Sequence, residues 1–167
     1  MLRATRVLPS GSFEPPIDTV TLDHDGRHRR RMVLTGDHGT EFLLDLPEAR
    51  ALREGEGLEL EDGRVILVCA APEKLMEVTA GNRHALMRIV WHLGNRHLPV
   101  EIEVDRVRLR PDHVIEAMIV GLGGKVAHVE APFHPETGAY HHHDHRHGAA
   151  SSHPASARDG QHPQEAT

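Results

Sequence analysis

The chain is predicted to be an α+β protein in three parts: a β-rich segment over residues 1–70, a mixed segment over residues 71–134 and a tail over residues 135–167. Three observations predict this. Short apolar alternations separated by Gly- or Asp-rich turns occupy the first part. Two stretches of helical periodicity, each flanked by strand-like runs, occupy the second. In the third, Gly, Ala, Ser, His and Pro dominate, and with almost no apolar side chain to bury it is expected to be disordered without metal.

In the first part, Thr19-Val20-Thr21-Leu22 alternates, and Met32-Val33-Leu34 and Glu41-Phe42-Leu43-Leu44 follow as further short strands. Residues 47–53 begin with a proline suited to a first helical turn and continue with good helix formers, so one or two helical turns are expected there. Gly57-Leu58-Glu59-Leu60 and Val65-Ile66-Leu67-Val68 flank Glu61-Asp62-Gly63-Arg64, and Asp-Gly between two alternating runs is a strong hairpin signal because glycine accepts positive φ.

In the second part, residues 75–79 read as a strand. Over residues 83–93, Leu86, Ile89, Val90 and Leu93 fall at i, i+3, i+4 and i+7, one apolar stripe on a helix that Gly94 is expected to end. Val100, Ile102 and Val104 then alternate with glutamates, and Val107 and Leu109 alternate with arginines in the opposite parity. That flip places a tight turn or bulge at Asp105-Arg106. Asp112 is a natural N-cap for a second helix bearing Val114, Ile115, Met118, Ile119 and Leu122, which runs to Gly123-Gly124. Residues 125–129 close the unit as a strand. The order βαββαβ is that of a ferredoxin-like split arrangement with helices on one face.

Composition narrows the function. The formal charge is −6, from 19 basic and 25 acidic residues, and no basic run exceeds Arg29-Arg30-Arg31, which argues against a nucleic-acid footprint. Aromatic residues make up 3% of the chain, too few for base-stacking platforms, and an RNA-binding reading would need exposed aromatics on the strands of the second part. Cys69 lies in an apolar run, where a thiol acts as a small core hydrophobe, and a single cysteine allows no disulfide within the chain. Neither a leader-like apolar stretch near the start nor a run of eighteen apolar residues occurs, so a soluble, cytoplasmic protein is expected.

Catalytic motifs fail on spacing. Gly121-Leu122-Gly123-Gly124-Lys125 lacks the G-x-x-x-x-G-K-S/T pattern of a phosphate loop and reads as a helix stop, and no H-E-x-x-H occurs. Glu101 and Glu103 read as a solvated strand face. No enzyme is expected. Histidine is the informative residue: eight of sixteen lie from His134 onward, with His141, His142, His143, His145 and His147 in one cluster broken by Asp144 and Arg146. Neutral imidazole suits Ni²⁺, Cu²⁺ and Zn²⁺, so the tail points to metal capture. A second constellation, Trp91-His92-Leu93-Gly94-Asn95-Arg96-His97-Leu98-Pro99, puts His97 at a surface junction between helix and strand, where its ring either points outward or bonds a turn carbonyl. Gly81-Asn82-Arg83-His84 repeats the end of that motif at the start of the same helix.

The block His92-Leu93-Gly94-Asn95-Arg96-His97-Leu98-Pro99, then Asp112-His113-Val114, then Ala131-Pro132-Phe133-His134-Pro135-Glu136-Thr137-Gly138-Ala139-Tyr140 before a histidine tail, resembles the urease accessory nickel metallochaperone family, UreE. The resemblance spans the whole plan of the chain. It implies a non-enzymatic Ni²⁺ carrier that forms a symmetric homodimer through the second domain. In that dimer His97 meets its symmetry mate to hold the ion, Zn²⁺ or Cu²⁺ can stand in its place, and the tail histidines complete the site. It also implies delivery to urease through the urease GTPase accessory protein, and a first domain like a chaperone peptide-binding module. Some relatives carry His-x-His where this chain has Pro111-Asp112-His113, so His113 is left as the one histidine of a secondary site. His92 has at most a supporting role. A rival function is a general Ni, Zn or Cu buffer, in which the tail stores metal and the folded part only solubilises it.

Overall fold

A computed structural model of the chain describes residues 1–136, which form one compact unit built on two sheets. The first sheet holds β1 (Leu2–Leu8), β2 (Asp18–Leu22), β3 (His28–Thr35), β4 (Glu41–Ala51), β5 (Gly57–Leu60) and β6 (Val65–Ala70), with a four-residue helix α1 (His24–Arg27) between β2 and β3. Its strand order is β2-β6-β5-β1-β4-β3, with β1–β4 and β2–β6 parallel and the other neighbours antiparallel. Period-two alternation explains the core: Phe42, Leu44 and Leu46 of β4, Leu58 and Leu60 of β5, and Ile66 and Val68 of β6 all point into one apolar cluster. The β5–β6 hairpin turns at Gly63, whose φ of 83° is the left-handed conformation that position requires.

Residues 47–53 are not helical, as their propensities had suggested: β4 continues through them to Ala51. The pairing passes from Arg29↔Arg50 to Arg31↔Asp45, so that a bulge containing Pro47 interrupts the ladder. Proline has no amide to give a ladder, and a bulge is where that omission costs least. Strand β1 and helix α1 had no strong pattern in sequence. Only Ala4 of β1 is fully buried, and α1 is a single turn started by the Asp23 carboxylate, which accepts from the Gly26 amide. Cys69 is half-buried on β6 rather than within the core, and burial, reinforced by the charges of Asp37 and Glu54, pushes its thiol pKa up.

The second sheet holds β7 (Pro72–Thr79), β8 (Glu101–Ile102), β9 (Val107–Leu109) and β10 (Lys125–Pro132), with helix α2 (Arg83–Gly94) after β7 and helix α3 (His113–Gly121) after β9. The sheet is antiparallel throughout, in the order β10-β7-β9-β8. Met76, Val78, Val107 and Leu109 form a floor on which Leu86, Ile89 and Leu93 of α2 and Ile115 and Ile119 of α3 pack. Asn82 caps α2 by accepting from the Ala85 amide at 2.9 Å, and Asp112 caps α3 by accepting from Val114 at 2.8 Å and Ile115 at 3.1 Å. The parity flip after β8 is a tight turn in which the Glu103 amide donates to the Arg106 carbonyl at 2.9 Å. Glu101 and Glu103, expected as a solvated face, instead contact Arg108 at 3.4 and 2.9 Å, beside Glu77 at 2.9 Å.

Side chains stitch the two sheets together. Arg110 reaches Asp25 at 3.0 Å and Glu73 at 3.2 Å, the His24 amide donates to Glu73 at 2.7 Å, and Arg27 donates to the carbonyl of buried Phe133. Among the described residues no helix is long and apolar enough to cross a membrane.

Candidate functional site

The last turn of α2 and the loop after it build the site around His97. Leu93, fully buried, pins the end of the helix to the second core. Asn95 donates back to the Trp91 carbonyl at 3.1 Å, Arg96 to Leu93 at 3.0 Å and His97 to Gly94 at 3.0 Å, so the chain winds three residues past the helix before it turns away. The Arg96 guanidinium fastens the same loop by donating to the His92 carbonyl at 2.9 Å. The expected stop at Gly94 is therefore displaced: Gly94 stays helical, the capping residue Asn95 is still right-handed at φ −63°, and the left-handed turn falls on His97 at φ 55°.

His97 is the one non-glycine residue with positive φ among the described residues. A β-carbon in that region crowds the following carbonyl, which costs roughly 1–2 kcal/mol, so the conformation persists only because the winding around it is over-determined. The imidazole is exposed and has no hydrogen-bond or ion-pair partner among the described residues. The bland alternative, in which the ring bonds a turn carbonyl, is not what the loop does; only its backbone amide is so engaged.

Around this loop, α2 leaves an apolar stripe uncovered. Met87 is 69% exposed and Trp91 65% exposed, and with His84, Arg88 and His92 they line an open groove of about 300 Å³. In the sequence Trp91 enters only as a member of the constellation around His97, with no role of its own, and Met87 does not enter at all. A second helical spacing, 84, 87, 88 and 91, was the signal that could have found them, since the stripe 86, 89, 90 and 93 had already been assigned to the core. On α3, Val114 and Val120 are exposed in the same way.

The other candidate histidines are placed plainly. His92 is half-buried and sits edge-on to Trp91, with ring centroids 4.9 Å apart. His113 is exposed at the first turn of α3. No group of three or more His, Cys, Asp or Glu side chains among the described residues is arranged to hold a metal ion. His141, His142, His143, His145 and His147 lie outside the described residues. The described chain ends close to the His97 loop: the Glu136 amide donates at 2.8 Å to the carbonyl of Val100, three positions after His97, and His134 contacts Glu54 at 3.1 Å.

Comparison with known proteins places both halves. Residues 2–71 match the family model for the UreE urease accessory protein, N-terminal domain, and residues 73–162 match that for its C-terminal domain. The protein named Urease accessory protein UreE in Bradyrhizobium sp. (strain ORS 278) is 57% identical over 149 residues, covering 89% of this chain and 71% of that protein. Its namesake in Chelativorans sp. (strain BNC1) is 54% identical over 145 residues, covering 87% of this chain and 90% of that protein. The namesake in Rhodobacter capsulatus is 48% identical over 140 residues, covering 84% of this chain and 87% of that protein.

Proposed function

The chain belongs to the UreE family of urease accessory proteins, and from that premise we propose that it is a non-enzymatic, cytoplasmic carrier that binds Ni²⁺ as cargo between two copies of itself and passes it on for urease assembly. In this reading residues 71–134 are a ferredoxin-like metal-binding and dimerisation domain, residues 1–70 a partner-binding domain and residues 135–167 a histidine-rich tail.

One observation supports it above the rest: an exposed, unbonded imidazole held at positive φ, at the end of a helix whose outer stripe is apolar and uncovered. A two-fold contact through Met87 and Trp91 buries that stripe. It also lets one residue per protomer supply two ligands, so the absence of a ligand cluster among the described residues is no obstacle. His141, His142, His143, His145 and His147 then complete an open coordination sphere from the tail, which suits handover better than a closed cage, and His113 remains a secondary ligand. The recipient is the urease GTPase accessory protein. Zn²⁺ and Cu²⁺ are accepted by the same donors, since imidazole preference does not separate these ions.

The test is a nickel titration with parallel mass determination. Truncation after Tyr140 lowers stoichiometry yet leaves one tight site per dimer, and His97→Ala abolishes that site. Unchanged affinity in His97→Ala would show a general metal buffer instead. Because only neutral imidazole binds metal and its unperturbed pKa is about 6.5, affinity falls as pH drops through roughly 6; equal affinity at about pH 5 and about pH 8 would contradict the ligand set.

A further inference from the structure

We propose that strand β3 is a docking edge for an acidic, extended segment of a partner protein. This goes beyond nickel carriage and stands on residues remote in sequence from His97. β3 is the terminal strand of the first sheet and carries Arg29, Arg30 and Arg31 in succession, in a chain whose formal net charge is −6. Directly across the ladder from Arg29 stands another arginine, Arg50 of β4. Like charges opposite one another destabilise a strand pair, so this arrangement works against the fold's own stability.

Neutralisation among the described residues is incomplete. Arg50 is paired with Glu56 at 2.6 Å and Arg31 lies 3.7 Å from Asp45, but the Arg29 guanidinium donates only to the neighbouring His28 carbonyl at 3.0 Å. No ion pair reaches Arg29 or Arg30 among the described residues. Further along the strand, Met32 is 44% and Val33 52% exposed. The edge is thus basic over its first half and apolar beyond.

Charge and shape select the occupant. A second copy of this chain would set arginine against arginine. A segment bearing carboxylates followed by an apolar side chain matches both halves, and the planar guanidinium fork pairs with carboxylate bidentately. Single-stranded nucleic acid finds no exposed phenylalanine, tyrosine or tryptophan on β3 or β4 to stack upon. Guarding an edge against self-pairing is the simpler use of charge on such a strand; it accounts for exposed arginines but not for a fourth placed opposite the first.

The experiment uses the full metal-free chain and a fluorescent peptide of glutamates followed by valines, matched to the eight residues of β3. Anisotropy should show binding that weakens between about 0.05 and about 0.3 M salt, as Debye screening requires. The R29E/R30E/R31E variant should lose at least about tenfold in affinity, the single variant Arg30→Glu a smaller share, and a triple lysine variant should recover part of it. Nickel titrations of these variants should match wild type, which separates failure here from failure of the nickel reading. Four results would overturn the proposal: equal binding by the triple glutamate variant, equal binding of a lysine–valine peptide, tighter binding of oligouridylate than of the acidic peptide, or no peptide binding by wild type while the glutamate variant self-associates.

Discussion

Two loops of this protein each hold one ionisable side chain, and they hold it in opposite ways. Between β3 and β4 the chain folds over Asp18 of β2, whose carboxylate accepts from the amides of Thr19 at 2.7 Å, His38 at 3.0 Å and Thr40 at 3.1 Å, and lies 2.9 Å from His38 Nδ1. A side chain on Gly36 would collide with that carboxylate, so glycine is required beside it. Hydrogen bonding from Thr40, aided by His38 and opposed by burial, holds the Asp18 carboxyl well below the usual carboxylate range. After α2, by contrast, every backbone bond serves to hold His97 in a strained turn while its ring faces solvent without a partner among the described residues. A saturated, buried charge serves the fold, whereas an unsatisfied ring on an over-determined loop is available for chemistry.

Substitutions can break or sharpen that contrast. The largest effect is expected for His97→Ala, which should weaken nickel binding by more than about 100-fold, since even changes in residues behind a ligand cost roughly 10–100-fold; calorimetry reads this directly. Next comes the apolar stripe. Met87→Asp with Trp91→Asp should leave only monomer at micromolar concentration in sedimentation if the proposed two-fold contact forms through this stripe, because a symmetric interface feels each change twice. Asp18→Asn should lower the urea midpoint while leaving nickel binding intact, because three backbone amides lose their anionic acceptor.

The sign of the acid dependence follows from the depressed carboxyl pKa. Asp18 stabilises the fold above the unfolded value of about 3.9, and that contribution is lost as pH falls below it toward the folded value. Wild type should therefore lose stability on acidification more steeply than Asp18→Asn, and parallel curves would show that the carboxylate is not the acid-sensitive group. The smallest effect concerns strain at the other loop: His97→Gly should be more stable than His97→Ala by about 1 kcal/mol, since only glycine accepts φ 55° without crowding. Equal melting of the two would mean that the loop relaxes once the ring is gone.

Local pattern made much of this legible. The β5–β6 hairpin, the two helices and the turn after β8 follow from signals within a few residues of one another: Asp-Gly, an apolar stripe that Asp112 precedes in the second helix, and a change of alternation parity. Residues 47–53 were misread because helix propensity is a weak prior, and pairing with β3 outweighed it once a bulge accommodated Pro47. His97 was found through its motif, but its geometry was not, because Gly94 offered a more obvious place for a left-handed residue than a histidine did.

By itself, then, the sequence determined periodicity, caps, turns, the concentration of imidazole and membership in the UreE family, all of which depend on neighbours along the chain or on close relatives. Tertiary structure alone decided which faces stay uncovered. Met87 and Trp91 are exposed because α2 turns its other stripe to the floor of β7 and β9, and Arg29 to Arg31 line an edge because no strand among the described residues pairs beyond β3. Exposure is a property of what packs against a residue, and the packing partners are far away in sequence.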